Sequence, residues 1–201
     1  MPGKTRLAER LRRELEGEVF FDRFNRGRYS TDASIYQIEP VGVAIPKTEA
    51  DIVRALGIAA AEGVPVVPRG AGTSQAGQAI GQGLVLDTSK HLTHVLEIDP
   101  AERLAVVEPG VVLERLNAML KPHGLWFPVD PATASQATIG GMAGNNSAGA
   151  RSIRYGLMVD HVRAIDAVLA DGTQHHFGAV PADLKTDAQS ERYRDLVRGV
   201  R

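Results

Sequence analysis

Two long glycine-rich segments place the strongest constraint on how this chain can fold. Residues 68–82 (PRGAGTSQAGQAIGQ) follow a short apolar run, and residues 128–150 consist mainly of Ala, Thr, Ser, Gly and Asn. Loops longer than about 12–15 residues are uncommon within a compact domain unless they have a function or are disordered. Both segments are too rich in Ala, Ile and Gly for a solvated linker, so we interpret them as functional loops.

Strand and helix patterns alternate around these segments. Leucines at four-residue spacing predict a helix over residues 7–15, and Thr48 is a predicted N-cap for a helix that stops at Gly63. A further helix is expected over residues 111–123 and another near the end of the tail that begins at residue 183. Residues 31–36 and both glycine-rich segments are predicted as loops. Short apolar runs predict strands at residues 41–45, 64–67, 84–87, 94–98, 104–107, 162–170 and 173–177. This mixture predicts an α/β or α+β protein.

Charge and composition exclude several classes of function. Lys and Arg total 23 and Asp and Glu total 24, so a formal charge of −1 gives no field to steer the chain onto nucleic acid or an anionic membrane. Because the chain has no Cys, redox chemistry within it would need a bound cofactor. No apolar run approaches the ~18 residues of a membrane span, and the charged N-terminus is unlike a signal peptide. We therefore expect a cytoplasmic protein.

The first glycine-rich segment has the composition of an anion-binding loop. Gly70 and Gly72 let the backbone approach a ligand, and a row of N–H donors beside two hydroxyls suits a diphosphate. Two familiar phosphate motifs do not fit. A dinucleotide fingerprint starting at Gly70 would need glycine in place of Gln75, and a Walker A loop would need lysine in place of Gln78. A tight turn without a ligand remains the alternative.

The second segment suits a large, flat ligand. Residues 138–149 (TIGGMAGNNSAG) offer exposed backbone donors, small side chains and two consecutive carboxamides. The absence of Cβ atoms lets a ring system approach the backbone, while amides and hydroxyls bond to its edge. A buried turn is one alternative. A serine hydrolase with Ser147 as nucleophile is another, but Asn145 stands where its G-x-S-x-G motif requires glycine.

Taken together, the two segments resemble the FAD-binding domain shared by vanillyl-alcohol oxidase, p-cresol methylhydroxylase, glycolate oxidase, D-lactate dehydrogenase and D-2-hydroxyglutarate dehydrogenase. The resemblance covers residues 29–177 and is strongest in the ordered pair of 68–74 (PRGAGTS) and 139–149 (IGGMAGNNSAG). Further matches are 29–36 (YSTDASIY), 107–110 (VEPG), 154–156 (RYG) and 168–172 (VLADG). The resemblance implies an α+β fold with two α/β subdomains of the p-cresol methylhydroxylase type.

The same resemblance implies a division of the chain. Residues 1–28 would be an N-terminal helical extension, and residues 29–180 the FAD-binding domain. Its smaller subdomain would span about 29–95 and its larger one about 96–180. Residues 181–201 would begin a truncated continuation.

The resemblance assigns cofactor-binding roles to fourteen residues. The first segment would wrap the FAD diphosphate through backbone amides and hydroxyls, and the second would line the diphosphate, ribityl and isoalloxazine side. Val162 is assigned to the adenine end, and the Arg69 guanidinium is alternatively held by a carboxylate of the fold. Members that attach flavin covalently have His in place of Thr73, so noncovalent FAD is expected. The assigned residues are Arg69, Gly70, Ala71, Gly72, Thr73, Ser74, Gly77, Gln78, Pro131, Thr138, Gly141, Asn145, Ser147 and Val162.

The resemblance also implies partners beyond the chain. In the family, a cap domain that follows this length binds the substrate and carries the catalytic base and any metal ligands. No catalytic or metal-binding residue is therefore expected within these 201 residues, which would be inactive alone. The whole protein would oxidise a small 2-hydroxy acid by hydride transfer to FAD and pass electrons to an unidentified acceptor.

Residues 29–36 are most similar to long bacterial members with a C-terminal iron–sulfur half. Two alternatives remain open. One is a noncatalytic domain that binds a ligand or a partner polypeptide, and the other is a flavin domain like that of UDP-N-acetylenolpyruvoylglucosamine reductase.

Overall fold

A four-stranded sheet organises the first half of the computed structural model, which describes residues 2–179. Its strands are β1 (Glu18–Phe20), β2 (Gly42–Ile45), β3 (Val66–Arg69) and β4 (Leu84–Asp87), in the spatial order β1-β2-β4-β3. β2, β4 and β3 run parallel, and β1 pairs antiparallel at the edge of β2. The carboxyl ends of β3 and β4 therefore lie side by side, which places the start of the first glycine-rich segment beside Thr88.

The sheet is buried on both faces, which explains why β2 is apolar along its whole length. Ala44 points toward a core shared with α1 (Pro2–Glu14) and α3 (Glu49–Ala61), whereas Val43 packs on the opposite face with Val85. Leu7 and Leu11 of α1 are fully buried in the first of these cores. Burial of each such leucine contributes roughly 1.5–3 kcal/mol.

The predicted ends of α3 are confirmed. The Thr48 hydroxyl accepts the N–H of Asp51 at 3.2 Å as an N-cap, and Gly63 follows the helix with a φ of +65°. The Asp51 carboxylate is fully buried and accepts backbone N–H groups of Glu16, Gly17 and Lys47, each at 3.0 Å. One acidic residue of the first helical turn thus ties the end of α1 and the start of α3 to the sheet.

The second half of the described chain combines short helices with two antiparallel hairpins. Its buried side chains include Leu113, Val129, Met142 and Met158, which form one cluster. The elements are α2 (Arg23–Arg28) in the first half, then β5 (Val95–Asp99), β6 (Leu104–Val107), α4 (Leu113–Leu120), α5 (Ile139–Gly144), α6 (Ser152–Tyr155), β7 (Ile165–Val168) and β8 (Gln174–Phe177), with 3₁₀ turns at Lys121–His123 and Met158–Asp160. No helix within residues 2–179 is both long and apolar enough to cross a bilayer.

Four local predictions need correction. No element was predicted for residues 19–29, where the structure has an edge strand and α2, capped by Asp22. β3 begins two residues later than the predicted strand at 64–67. β7 covers only Ile165–Val168 of the predicted strand at 162–170, so Val162 lies before the strand. The second glycine-rich segment was predicted as a loop but contains α5. The domain boundaries at residues 28, 95 and 180 stay predictions, and the expected helix near the end of the tail from residue 183 lies outside the described residues.

Candidate cofactor site

An open cavity of about 790 Å³ lies between the two glycine-rich segments. Its walls come from residues 68–78 after β3 and from residues 131–148 around α5, with Thr88 and Pro109 between them. The volume falls within the roughly 300–1,000 Å³ that small-molecule and cofactor sites occupy. The two walls are more than fifty residues apart in the sequence, and the fold brings them together.

Most of the predicted cofactor-binding residues meet at this cavity. Gly77 and Val162 are the two that do not line it: Gly77 lies against the ring of Tyr36, and Val162 packs on the cluster that contains Met158. The twelve residues that line it are Arg69, Gly70, Ala71, Gly72, Thr73, Ser74, Gln78, Pro131, Thr138, Gly141, Asn145 and Ser147. The structure thus converts two separate sequence motifs into one concave surface.

The first wall presents backbone amides that the fold does not use. Within the described structure, residues 71–78 donate no backbone N–H hydrogen bond to another backbone group. The turn depends on glycine at Gly72 and Gly77, whose φ angles of +70° and +79° are strained for other residues. The hydroxyls of Thr73 and Ser74 lie in the same wall. Such a row of donors is the surface that an anionic group with several oxygens requires.

The second wall differs from the prediction, which expected exposed backbone donors there. Its amides are used within α5 and the following turn: the N–H of Met142 bonds to Thr138 O at 2.8 Å, and that of Ser147 to Met142 O at 2.9 Å. α5 forms despite its glycines because the Thr138 hydroxyl caps it and Met142 is buried in the core. This wall therefore contributes a surface with few Cβ atoms and the side chains of Asn145 and Ser147, rather than free amides.

The two walls touch directly where Gly70 meets Thr138. A Cβ atom added at Gly70 would lie less than 3.0 Å from Thr138 Oγ1, a separation that real Cβ atoms do not show. The Thr138 side chain cannot easily move, since it is 3% exposed and its hydroxyl accepts the N–H of Gly141 at 3.4 Å. Glycine at position 70 is thus required by contact between the loops as well as by access of a ligand.

Polar side chains also bridge the walls. Gln78 Nε2 donates to Asn145 Oδ1 at 3.0 Å, while Ser74 Oγ donates to Gln78 Oε1. Asn145 Nδ2 in turn donates to Ser147 Oγ at 3.4 Å. The Ser147 hydroxyl therefore contacts an amide rather than a base, so this geometry does not favour the hydrolase alternative.

Arg69 forms no ion pair with a carboxylate of residues 2–179, and its guanidinium runs under the first wall. Nη1 donates to Ala79 O at 3.2 Å and to Tyr29 O at 3.5 Å, and the guanidinium carbon lies 5.2 Å from the centre of the Tyr29 ring. The Tyr29 hydroxyl donates to Asp87 Oδ2 at 2.6 Å. Burial, followed by this bond to the Asp87 carboxylate, raises the pKa of Tyr29 well above its ordinary value, so the phenol stays protonated.

Several lining residues were not predicted. Pro109 packs on Gly140, and its carbonyl accepts the Gly140 N–H at 2.8 Å. The 107–110 motif therefore holds the start of α5 in place. Other lining residues that were not predicted include Gln75, Ala76, Thr88, Thr133 and Met142. The match at 107–110 was the signal that could have indicated Pro109, whereas Thr88 reaches the site only because β4 pairs with β3.

Comparison with known proteins identifies the family. The model of a family described as FAD binding domain matches residues 40–178. The chain belongs to this FAD-binding domain family. The predicted resemblance is thereby confirmed, and the cavity belongs to a flavin-binding fold.

Relatives of this FAD-binding domain are oxidoreductases. The chain is 40% identical over 161 residues to D-2-hydroxyglutarate dehydrogenase of Haemophilus influenzae, covering 79% of this chain and 16% of that protein. It is 39% identical over 164 residues to glycolate oxidase subunit GlcD of Bacillus subtilis, covering 79% of this chain and 35% of that protein. The chain thus spans between about one sixth and one third of these two relatives.

The fold also matches solved structures. A structure of p-cresol methylhydroxylase with substrate bound superimposes with a TM-score of 0.74 at 18% identity, covering 88% of this chain and 35% of that one. This match confirms the predicted α+β fold of the p-cresol methylhydroxylase type.

Proposed function

We propose that the FAD diphosphate binds against residues 70–78 of this domain. The observation that carries the proposal is the row of backbone amides at 71–78, none of which is used by another backbone group of the described structure, along a cavity of about 790 Å³. The Thr73 hydroxyl adds a donor to the same wall, whereas the Ser74 hydroxyl donates to Gln78 Oε1. A diphosphate carries enough acceptor oxygens to satisfy such a row, whereas a neutral ligand does not.

The flavin end of FAD would lie along the second wall. There the small residues around α5 allow a ring to approach, and Asn145 and Ser147 can bond to its edge. Thr73 has no imidazole with which to attach the flavin, so the proposed association is noncovalent. Bound FAD would supply a two-electron acceptor, while the protein would orient the flavin and exclude competing reactions.

We extend the proposal to the whole protein as an oxidoreductase of 2-hydroxy acids. D-2-hydroxyglutarate and glycolate, in the names of the relatives above, both carry a hydroxyl next to a carboxylate. The substrate would bind to a cap domain that these 201 residues do not supply. These residues alone would therefore not turn over substrate. Any iron–sulfur centre would lie outside them, because they contain no Cys. A cytoplasmic location is part of the same proposal.

A charge introduced at Ala71 tests the diphosphate wall. Ala71 is exposed and lines the cavity, so Ala71→Glu should leave the fold intact and repel the phosphates. The control is Ala71→Gln, which has the same shape without the charge. After incubation with FAD and desalting, we expect flavin absorbance with the wild type and Ala71→Gln. Ala71→Glu should bind about tenfold or more weakly at low salt.

Three outcomes would contradict these assignments. Equal affinity of the two Ala71 variants would refute the diphosphate wall. Absence of retained flavin and of fluorescence quenching with the wild type would instead favour the noncatalytic alternative. For the whole protein loaded with FAD, we expect D-2-hydroxyglutarate, D-lactate or glycolate to bleach the flavin. Reduction only by a nicotinamide would indicate the reductase-like alternative.

A further inference from the structure

The first wall of the site is wound around the guanidinium of Arg69. Arg69 is the last residue of β3, and its side chain runs back beneath the loop to Ala79, ten residues later. A Cβ atom at Gly72 would overlap with the Arg69 guanidinium, so the loop passes directly over this group. Glycine at position 72 is thus needed to fit over Arg69, and a larger residue would displace the guanidinium before it reached a ligand.

The guanidinium is held from the opposite side by the start of the domain. The Tyr29 ring stacks at 5.2 Å, and the Tyr29 carbonyl accepts from Nη1. The ring is itself fixed by the hydroxyl bond to Asp87, which is 6% exposed at the end of β4. Arg69 therefore joins three elements, namely the end of the sheet, the residue that follows α2 and the returning end of the loop.

Asp32 contributes to the same arrangement. Its Oδ1 accepts the N–H of Ser34 at 2.8 Å. Burial opposes ionisation, but hydrogen bonds from Ser34, the nearby Ala79 amide and the charge of Arg69 together lower the pKa of Asp32. The carboxylate thus stays charged near Arg69, and Ala79 is approached at its amide by Asp32 and at its carbonyl by Arg69.

We infer that Arg69 is a positioning residue: its guanidinium, clamped between Tyr29 and the Ala79 carbonyl, sets the curvature of residues 70–78 and makes no bond to the cofactor phosphates. This inference rests on the proposed function and refines it, because an arginine beside a diphosphate would otherwise be assigned a direct ionic contact. The planar fork matters more than the charge, since it must stack on a ring and reach two carbonyls at once.

Two substitutions separate positioning from direct charge. Arg69→Met removes both charge and fork, and Arg69→Lys keeps the charge and most of the stem, so it also serves if the first variant does not fold. If Arg69 positions the loop, both variants should lower FAD affinity by about tenfold, the usual scale for losing a bond from a charged donor. Near-wild-type affinity of Arg69→Lys would overturn the inference, because the charge alone would then suffice.

Backbone ¹⁵N order parameters of the FAD-free protein provide a readout that depends neither on the cofactor nor on protection of amides, which residues 71–78 do not bond to other backbone groups. We expect the order parameters of residues 70–78 to fall in both variants relative to the wild type, and unchanged values there would overturn the inference. The matched control is Arg163→Met, an exposed arginine beside Glu102, for which no change at residues 70–78 is expected. If the wild type failed to bind FAD, the proposed function would fail, but the order parameters would still decide the role of Arg69.

Discussion

Adding one methyl group at Gly70 tests whether contact between the two loops shapes the site. In Gly70→Ala, the new Cβ would overlap with Thr138 Oγ1, while the Cβ and Cγ2 atoms of Thr138 would lie at the ordinary contact distances of 3.5 and 3.7 Å. The clash therefore involves a single atom. Overpacking of this kind costs about 1–3 kcal/mol, since the buried cap can yield only by moving α5.

Removing that atom should remove the penalty. Thr138→Ala alone is expected to cost about 1 kcal/mol through loss of the N-cap. The double variant should cost about the same as Thr138→Ala, because the alanine at position 70 then meets no oxygen. The two substitutions should thus be coupled by about 2 kcal/mol. For a chain of this size, a 2 kcal/mol loss in Gly70→Ala corresponds to a Tm lowered by roughly 4–8 °C.

Thermal or urea unfolding of the four proteins in the cycle measures this coupling. Gly144→Ala is the control for glycine replacement, since a Cβ there meets nothing within 4 Å and no change beyond about 0.5 kcal/mol is expected. Thr138→Val is the second control, because it keeps an atom at the clashing position and should not rescue Gly70→Ala. Additive effects of the Gly70 and Thr138 substitutions would refute the reasoning.

Three further substitutions test other parts of the structure. Asp51→Ala should lose about 3–5 kcal/mol of unfolding free energy, because three backbone amides lose a buried acceptor; an unchanged urea midpoint would contradict this. Burial and then the bond to Asp87 raise the Tyr29 pKa, so the stabilisation that this bond provides is present below the unfolded pKa of about 10 and is lost at higher pH. The advantage of wild type over Tyr29→Phe should therefore shrink above about pH 10, and a constant difference would argue against it. Asn145→Ala breaks the exposed bridge to Gln78 and should weaken FAD retention severalfold, with little change in Tm; the reverse pattern would indicate a purely structural bridge.

Secondary structure was predictable wherever a local signal was complete. Thr48 and Gly63 mark both ends of α3, because a side-chain cap and a positive φ are decided by neighbouring residues. The apolar run at β4 predicted its exact bounds. α5 was missed since glycines oppose a helix locally, and only the buried Met142 and the contact with Pro109 stabilise it.

For the site, too, local motifs were informative and contacts between distant segments were not. Twelve of the fourteen assigned residues line one cavity, because motif composition restricts which backbone surfaces a loop can present. The structural roles of individual loop residues could not be predicted from the motifs. Gly70 and Gly72 read as access for a ligand, yet each also accommodates a side chain from elsewhere, Thr138 and Arg69 respectively. Such contacts depend on which segments become neighbours in space.

The sequence by itself determined that this is an α+β domain of the FAD-binding type with two long glycine-rich segments. Composition, turn residues and apolar periodicity are local properties, and they sufficed for the fold class, whereas the family and the candidate cofactor came from the resemblance carried by the two glycine-rich motifs. Tertiary structure alone decided that the amides of residues 71–78 stay available, while those of Ile139 and Gly140 bond to the carbonyls of Val111 and Pro109. It also placed the Arg69 guanidinium beneath the loop, against the Tyr29 ring and the Ala79 carbonyl. Hydrogen-bond partners fifty residues apart are chosen by packing, which no local pattern specifies.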